Sequence, residues 1–342
     1  MKRVKLILIM CIILVFVLPL GLLYAEGEKA EEAVAEKPAA AKSYNFPFIS
    51  HGGEENPFWS QVYMGYKDAL EKLNCEGIMY RPSREGDLEW QLNTWKAVIG
   101  KKPDGIITTI PDAKMFDSVI RDAIRMGIPV LSSNVDDPEG DKGNVRIAYI
   151  GQPLVDSGYM LAEAAITKYF PGGPPNPRNL HVLLTMGCPG ESWCEMREEG
   201  TTNFLHEYGV NESNIYRLDT TMSADEIQSR VVAYLSAHPD TNLVLSTQYS
   251  IGGYLAAKSL GKKPGEITVA GFDLVPTVLD GIEEGYIAFT IDQQPYLQGY
   301  LPVVQLYLMH EAGTTPVDIN TSMAVVDKSN VKEVRERQAV TR

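Results

Sequence analysis

Histidine, cysteine and positive charge are all scarce in these 342 residues, and each shortage closes off a class of function. The five histidines stand at 51, 181, 206, 238 and 310, too scattered for the close pairing that zinc ligands show. No metal is therefore expected. Lysine and arginine number 31 against 44 aspartates and glutamates, a formal charge of -13. A protein that holds nucleic acid neutralises phosphates with a basic face, so no nucleic-acid partner is expected. The acidity says little about a small ligand, because solubility alone accounts for it. Catalytic signatures are missing too. The chain holds no G-x-S-x-G elbow, no H-E-x-x-H pair, no G-x-x-x-x-G-K-[ST] phosphate loop and no G-x-G-x-x-G turn after a strand. We expect neither an enzyme nor a cofactor. A hydrolytic acid/base pair such as Glu195 with Asp273 is the enzymatic alternative.

Of the four cysteines, Cys11 lies deep in an apolar run and lacks the context of a lipoprotein cysteine, and Cys75 follows a helical apolar pattern and reads as buried. Cys188 and Cys194 are close in sequence. In an oxidising compartment a disulfide between them is expected, worth roughly 2–3 kcal/mol by loop entropy; two free thiols are the alternative.

The N-terminus carries an address. Lys2, Arg3 and Lys5 precede an apolar run from Leu6 to Leu23, and Ala25 stands before Glu26. This is the layout of a secretory signal over residues 1–25, so export to the periplasm or cell exterior is expected. The run is also long enough to span a bilayer as an uncleaved anchor. Residues 26–43 are rich in Lys, Glu and Ala without an aromatic, and read as a flexible linker.

From Tyr44 short apolar runs alternate with helix-length segments. Strands are expected at 46–50, 77–80, 105–110, 129–133, 146–150, 181–186, 243–246, 267–271 and 287–291, with His181 lining the core. Phe58, Val62, Tyr66, Leu70 and Leu73 recur at helical spacing, as do Met115, Val119, Ala123 and Met126. Strand–helix alternation builds parallel sheets covered on both faces. The rhythm stutters over the polar stretch 136–144 and then repeats. The fold class expected is α/β, with two doubly wound parallel-sheet, Rossmann-like domains, and ligands gather at the carboxyl ends of such strands.

Several residues fall at those ends. Asn56-Pro57 reads as a helix start, and the aromatics Phe58 and Trp59 beside it offer a flat wall for a ring's C–H face or belong to the core. His51 ends the first strand. Ser132 to Asp137 ends the fourth, as a cleft wall or simply a turn. Ser192 to Glu195 fits a capping box, which places Arg197, with its five fixed donors, near the start of a helix. Gly271-Phe272-Asp273 and Thr290 to Tyr296 bring a carboxylate and a glutamine pair suited to hydroxyl groups.

Taken together, the segments Asn56–Trp59, Lys102–Ile107, Gly127–Val130, Arg197 with Gly200, Val269–Asp273 and Thr290–Gly299 give the chain from Tyr44 to Val326 a resemblance to the type I periplasmic sugar-binding proteins, the ribose- and galactose-binding group. Lactose-repressor-type regulators share that fold, but an apolar leader stands where their DNA-binding helices would be. The resemblance implies a periplasmic binding protein of type I, with an N-terminal lobe of residues 44–151 plus 294–319 and a C-terminal lobe of 152–293 plus 320–342. A three-stranded hinge near Gln152, Gln293 and Asn320 joins them, with a strand after Met323 returning to the second lobe. It implies a ligand set of Phe58, Trp59, Asn134, Arg197, Gln248, Asp273 and Gln293, to which Asn56 and His51 are added. Sugar binders of this kind carry Asp-Arg after strand four, where Asn134-Val135 stands here. Asp136 is the expected substitute, as in the autoinducer-2-binding branch, whose basic position lies near His51. The implied function is the substrate-binding protein of an ABC importer, a monomer that closes around a monosaccharide or polyol and meets an ABC transporter permease; a receptor for chemotaxis or signalling is the alternative.

Overall fold

The computed structural model describes residues 43–54, 56–322 and 324–340. The expected leader and nearly all of the expected linker lie outside the described residues. No described helix is long and apolar enough to cross a membrane.

The first sheet takes the strands β1 (Phe48–Ile49), β2 (Met79–Tyr80), β3 (Ile106–Thr108), β4 (Val130–Asn134), β5 (Ala148–Gly151) and, from far along the chain, β11 (Ile319–Asn320). All pair in parallel, in the order β11-β5-β4-β3-β1-β2. The second sheet takes β6 (Val182–Met186), β7 (Ile215–Asp219), β8 (Leu243–Ser246), β9 (Thr268–Phe272), β10 (Phe289–Asp292) and β12 (Ala324–Asp327). Its order is β12-β10-β9-β8-β6-β7, parallel throughout except for β12 against β10. In each sheet the first strand in sequence lies between the second and third. That reversal of order opens a crevice at the carboxyl ends.

Both faces of each sheet are covered, and strand residues alternate between them. In the first sheet Phe48, Ile107 and Leu131 face α1 (Pro57–Lys72) and α9 (Pro295–Ala312), while Ile49, Ile106 and Val130 face α2 (Leu88–Ile99) and α3 (Asp117–Arg125). In the second, Leu184, Leu245 and Phe272 face α4 (Leu154–Thr167) and α5 (Ser192–Tyr208). Leu183, Val244 and Val269 face α6 (Ala224–Ala237), α7 (Ile251–Ser259), α8 (Pro276–Glu284) and, beyond them, α10 (Val331–Val340). Strands buried on both sides carry apolar residues on both faces, and polar ones gather toward the carboxyl ends, as in Val130-Leu131-Ser132-Ser133-Asn134 of β4.

The chain passes between the sheets three times, after β5, after β10 and after β11. The last passage lies past Asn320, which pairs with Gly151 inside the first sheet, so a lobe boundary drawn between 319 and 320 divides a strand. Helices α4 and α5, which follow the first passage, meet at backbone distance. A Cβ on Gly200 would stand 1.8 Å from the Val155 carbonyl oxygen, and one on Gly158 2.0 Å from that of Arg197. These two glycines fix how deep the Arg197 segment sits.

Two local expectations are corrected. His181 is not a core residue: it precedes β6, half-exposed, with Nδ1 3.1 Å from Asp240. The capping box at Ser192 does not form. Glu191 is the N-cap residue, and the Ser192 hydroxyl has no partner among the described residues. Glu195 instead accepts from the Gly190 amide at 2.7 Å and from Arg217 on β7 at 2.6 and 2.8 Å. The guanidinium outcompetes the cap, and it also takes Glu195 out of any acid/base pairing with Asp273.

Candidate functional site

A cavity of about 780 Å³ lies where the carboxyl ends of the two sheets face each other. The first sheet contributes His51, Asn56, Phe58 and Trp59 after β1, the segment 83–86 after β2, and Asn134 after β4. The second contributes Cys188, Glu191 and Trp193 after β6, Arg197 on α5, Gln248 and Tyr249 after β8, and Asp273 after β9, with Gln293 at the second passage.

Two opposite charges stand on its floor. Arg197 is only 3% exposed. Its guanidinium lies 4.1 Å from the Phe272 ring centroid and 5.5 Å from that of Trp193. Nε donates to Gln152 Oε1 at 2.8 Å, Nη2 donates to the same oxygen, and Nη1 donates to the Thr247 carbonyl at 2.9 Å. Of five guanidinium donors, one N–H on each Nη is left for a ligand. Asp273 accepts from Gln293 Nε2 at 2.6 Å. Burial pushes its carboxyl above the usual range, against the pull of Arg197 and of the Gln293 hydrogen bond. Asp273 holds a left-handed backbone, with φ of 70°, which turns the carboxyl away from its own strand. No ion pair joins Arg197 to Asp273 among the described residues, so each charge keeps capacity for something between them.

A polar network connects this floor to the passages between sheets. Asn134, also left-handed at φ 68°, donates to Gln298 Oε1 at 3.0 Å and lies 3.5 Å from Gln293 Oε1. Gln298 donates to the Gln293 carbonyl at 2.9 Å and to Thr321 Oγ1 at 3.1 Å, reaching the third passage. The Tyr149 hydroxyl lies 2.7 Å from the Asn134 carbonyl and 2.8 Å from that of Gln152, at the first.

The wall after β1 is aromatic. Trp59 is buried, with Phe58 at 5.4 Å and His51 at 5.3 Å, both edge-on. Burial lowers the His51 pKa to about 4, which makes the ring neutral at pH 7. Its Nδ1 has no hydrogen-bond partner among the described residues. Asn56 is spent locally: Oδ1 caps α1 through the Phe58 amide at 3.0 Å, and Nδ2 donates to Glu85. Gln248 is held by the Thr247 hydroxyl at 3.0 Å.

Nine of the ten expected ligand residues therefore share one cavity. Asp136 does not. Its carboxylate is turned away to a buried pair with Arg146 Nε at 2.7 Å and Nη2, and it accepts from Ser132 Oγ at 2.6 Å. The parallel register alone does not bring them together, since Asp136 follows the end of β4 and Arg146 precedes β5. The Asp136 side chain folds back along β4 to Ser132, where the long Arg146 side chain reaches it. Val135 is the cavity neighbour in that turn. The expected Cys188–Cys194 disulfide is also corrected, since both thiols are free. Cys194 is buried on α5 with Sγ 2.9 Å from Thr247 Oγ1, whereas Cys188 stands in the loop and lines the cavity. Trp193, Tyr249, Glu85 and Glu191 were not legible as site residues. The signal available was position alone, since each follows a strand's carboxyl end by a few residues.

The sequence profile of the periplasmic binding protein domain matches residues 46–313. The chain is 29% identical to the xylose/arabinose-binding protein of Sulfolobus acidocaldarius, over 85% of this chain and 72% of that one. Among solved structures it is similar to a periplasmic sugar-binding protein of an ABC sugar transporter from Legionella pneumophila, at 26% identity and a TM-score of 0.70 over 82% of this chain and 100% of that one. It is also similar to a solute-binding protein of an ABC transporter from Burkholderia graminis in complex with D-arabinose, at 25% identity and a TM-score of 0.69 over 85% and 98%.

Proposed function

The chain belongs to the periplasmic binding protein family, and from that premise we propose that it is the extracytoplasmic solute receptor of an ABC importer, binding one monosaccharide or polyol between its two sheets without chemical turnover. The observation that carries the reading is the pair of buried, opposed and mutually unpaired charges, Arg197 and Asp273, set against the aromatic wall of Phe58 and Trp59. Neighbouring hydroxyl groups supply donors for the carboxylate and acceptors for the guanidinium. The C–H face of a sugar ring suits an aromatic plane. The xylose/arabinose specificity in the name of one relative and the D-arabinose in one similar structure support a pentose as the first candidate.

We assign residues 44–151 and 294–320 to one lobe and 152–293 with 321–340 to the other. The ligand set proposed is His51, Phe58, Trp59, Asn134, Arg197, Gln248, Asp273 and Gln293, with Asn56 in support. A ligand that touches both lobes favours the closed arrangement by its differential affinity alone, and the closed monomer is the form offered to the permease. Thermal unfolding with D-xylose, L-arabinose, D-ribose and myo-inositol tests the proposal. A compound bound only by the native state raises the midpoint with concentration. Absence of any rise across these and the common hexoses overturns the carbohydrate assignment.

A further inference from the structure

The amide of Asn134 can offer a ligand either an acceptor or a pair of donors, and two fixed points around it decide which. The first works through Gln298, fully buried on α9. In a regular helix its carbonyl would accept from the amide of residue 302, but Pro302 has none. The Ser133 hydroxyl donates there instead, at 2.7 Å. The end of β4 is thereby tied to this turn of α9 at the residue beside Asn134. A backbone carbonyl only accepts, so the 2.9 Å contact of the Gln298 side chain with the Gln293 carbonyl fixes Nε2 on that side. Its Oε1 then faces Asn134, 3.0 Å from Nδ2. The second fixed point is the Asp273 carboxylate, which also accepts. Gln293 Nε2 is committed to it at 2.6 Å, and Gln293 Oε1 is turned back to within 3.5 Å of the same Asn134 Nδ2. Both neighbours thus present oxygen to Asn134, and either would repel its Oδ1. Oδ1 accepts from no described residue, and Asn134 lines the cavity.

We infer that Gln298 is a positioning residue that sets ligand specificity: it holds the Asn134 amide with its oxygen to the cavity, so that, on the reading of the floor as a polyol site, the sugar hydroxyl met there must donate its proton. Gln298 itself does not line the cavity; it acts through Asn134. The floor then divides the hydroxyls of a ligand into two kinds. Those at Asn134 and Asp273 donate, while those at the free N–H groups of Arg197 accept. A site built around a hydroxyl rejects an analogue that lacks the matching group, because a polar atom of the protein stays unpaired. Fluorine separates the two kinds, since it is close to a hydroxyl in size, accepts weakly and donates nothing.

Titration calorimetry of the full-length protein tests it, with D-xylose, L-arabinose and D-ribose and with the singly fluorinated deoxy analogues of whichever binds. In the wild type, fluorine is expected to weaken binding roughly tenfold at each hydroxyl that donates. Asn134→Gly deletes the amide and keeps the left-handed backbone at φ 68°. It is expected to abolish the fluorine penalty at one ring position and leave the others, which identifies the hydroxyl concerned. At that position Gln298→Leu and Gln298→Met, either of which lets the amide turn its donors outward, cut the penalty several-fold. Gln298→Glu still sets an oxygen against Nδ2 and keeps it. The readout is the ratio of parent to fluorinated sugar, so a general loss of stability or affinity in a variant cancels. The same penalties in the wild type and Asn134→Gly overturn the inference and leave the floor reading standing. Undiminished penalties in the Leu or Met variant also overturn it, as does their loss in Gln298→Glu, since disruption alone would then account for the effect. Failure of all three parent sugars to bind overturns both readings together.

Discussion

Arg197 grips a single neutral oxygen, Oε1 of Gln152, with two of its N–H groups, and has no carboxylate partner within ion-pair distance among the described residues. Gln152 is fully buried at the first passage between the sheets. It therefore aims the guanidinium without neutralising it. Gln152→Ala removes the acceptor and leaves part of a buried cation unsatisfied, at a cost of roughly 1–3 kcal/mol in stability. Chemical denaturation should record that loss. Ligand affinity should fall as well, because the guanidinium is released from its one bidentate partner.

Asp273→Asn keeps the shape of the side chain and tolerates the left-handed backbone, which alanine would resist. It removes the charge that a ligand's hydroxyls would meet. Hydrogen bonds to a charged group are worth about 1.5–3 kcal/mol each, so affinity should drop by one to two orders of magnitude or more. The fold should survive, since the carboxylate's one side-chain hydrogen-bond partner among the described residues is Gln293. Unchanged binding in this variant would remove Asp273 from the site.

The sequence reveals the central strands because they are buried on both faces and so carry largely apolar runs, as in Val182–Met186 of β6, apolar but for Thr185. The edge strand β7 escaped notice for the converse reason: Ile215–Asp219 reads Ile-Tyr-Arg-Leu-Asp, and three of its five side chains are exposed. Residues directly at strand ends, such as Asp273, could be read from position. Trp193 and Glu191 could not, because which loop residues turn inward depends on the fold of the loop. Asp136 misled because an acid in a turn suits a ligand and an ion pair equally; only the way the turn folds back to Ser132 selects Arg146.

His51 sets a pH dependence. Its pKa is depressed from about 6.5 in an unfolded chain to about 4 in the fold. The unfolded state therefore binds more protons between those values, and stability falls as pH drops through that window. The His51 contribution is fully present above pH 6.5 and lost as pH falls through about 4, a change of roughly 3 kcal/mol. His51→Gln should flatten the unfolding free energy in this window relative to the wild type. Parallel profiles for the two proteins would show that the ring is solvated.

The close approach of Gly200 to Val155 and of Gly158 to Arg197 leaves no room for a side chain. Gly200→Val forces α4 and α5 apart against carbonyl groups that cannot yield, costing about 1–3 kcal/mol or more. The thermal midpoint should fall, and ligand affinity with it, because Arg197 lies one helical turn away. A variant with unaltered midpoint would mean that the two helices separate freely.

The most direct test is calorimetric titration of the wild type and of the double variant Arg197→Ala/Asp273→Asn with the pentose that raises the melting midpoint most. The account predicts one site per chain in the wild type and no measurable binding in the folded double variant. Binding of similar affinity in both proteins would contradict it, since the sugar would then be held somewhere other than between these two charges.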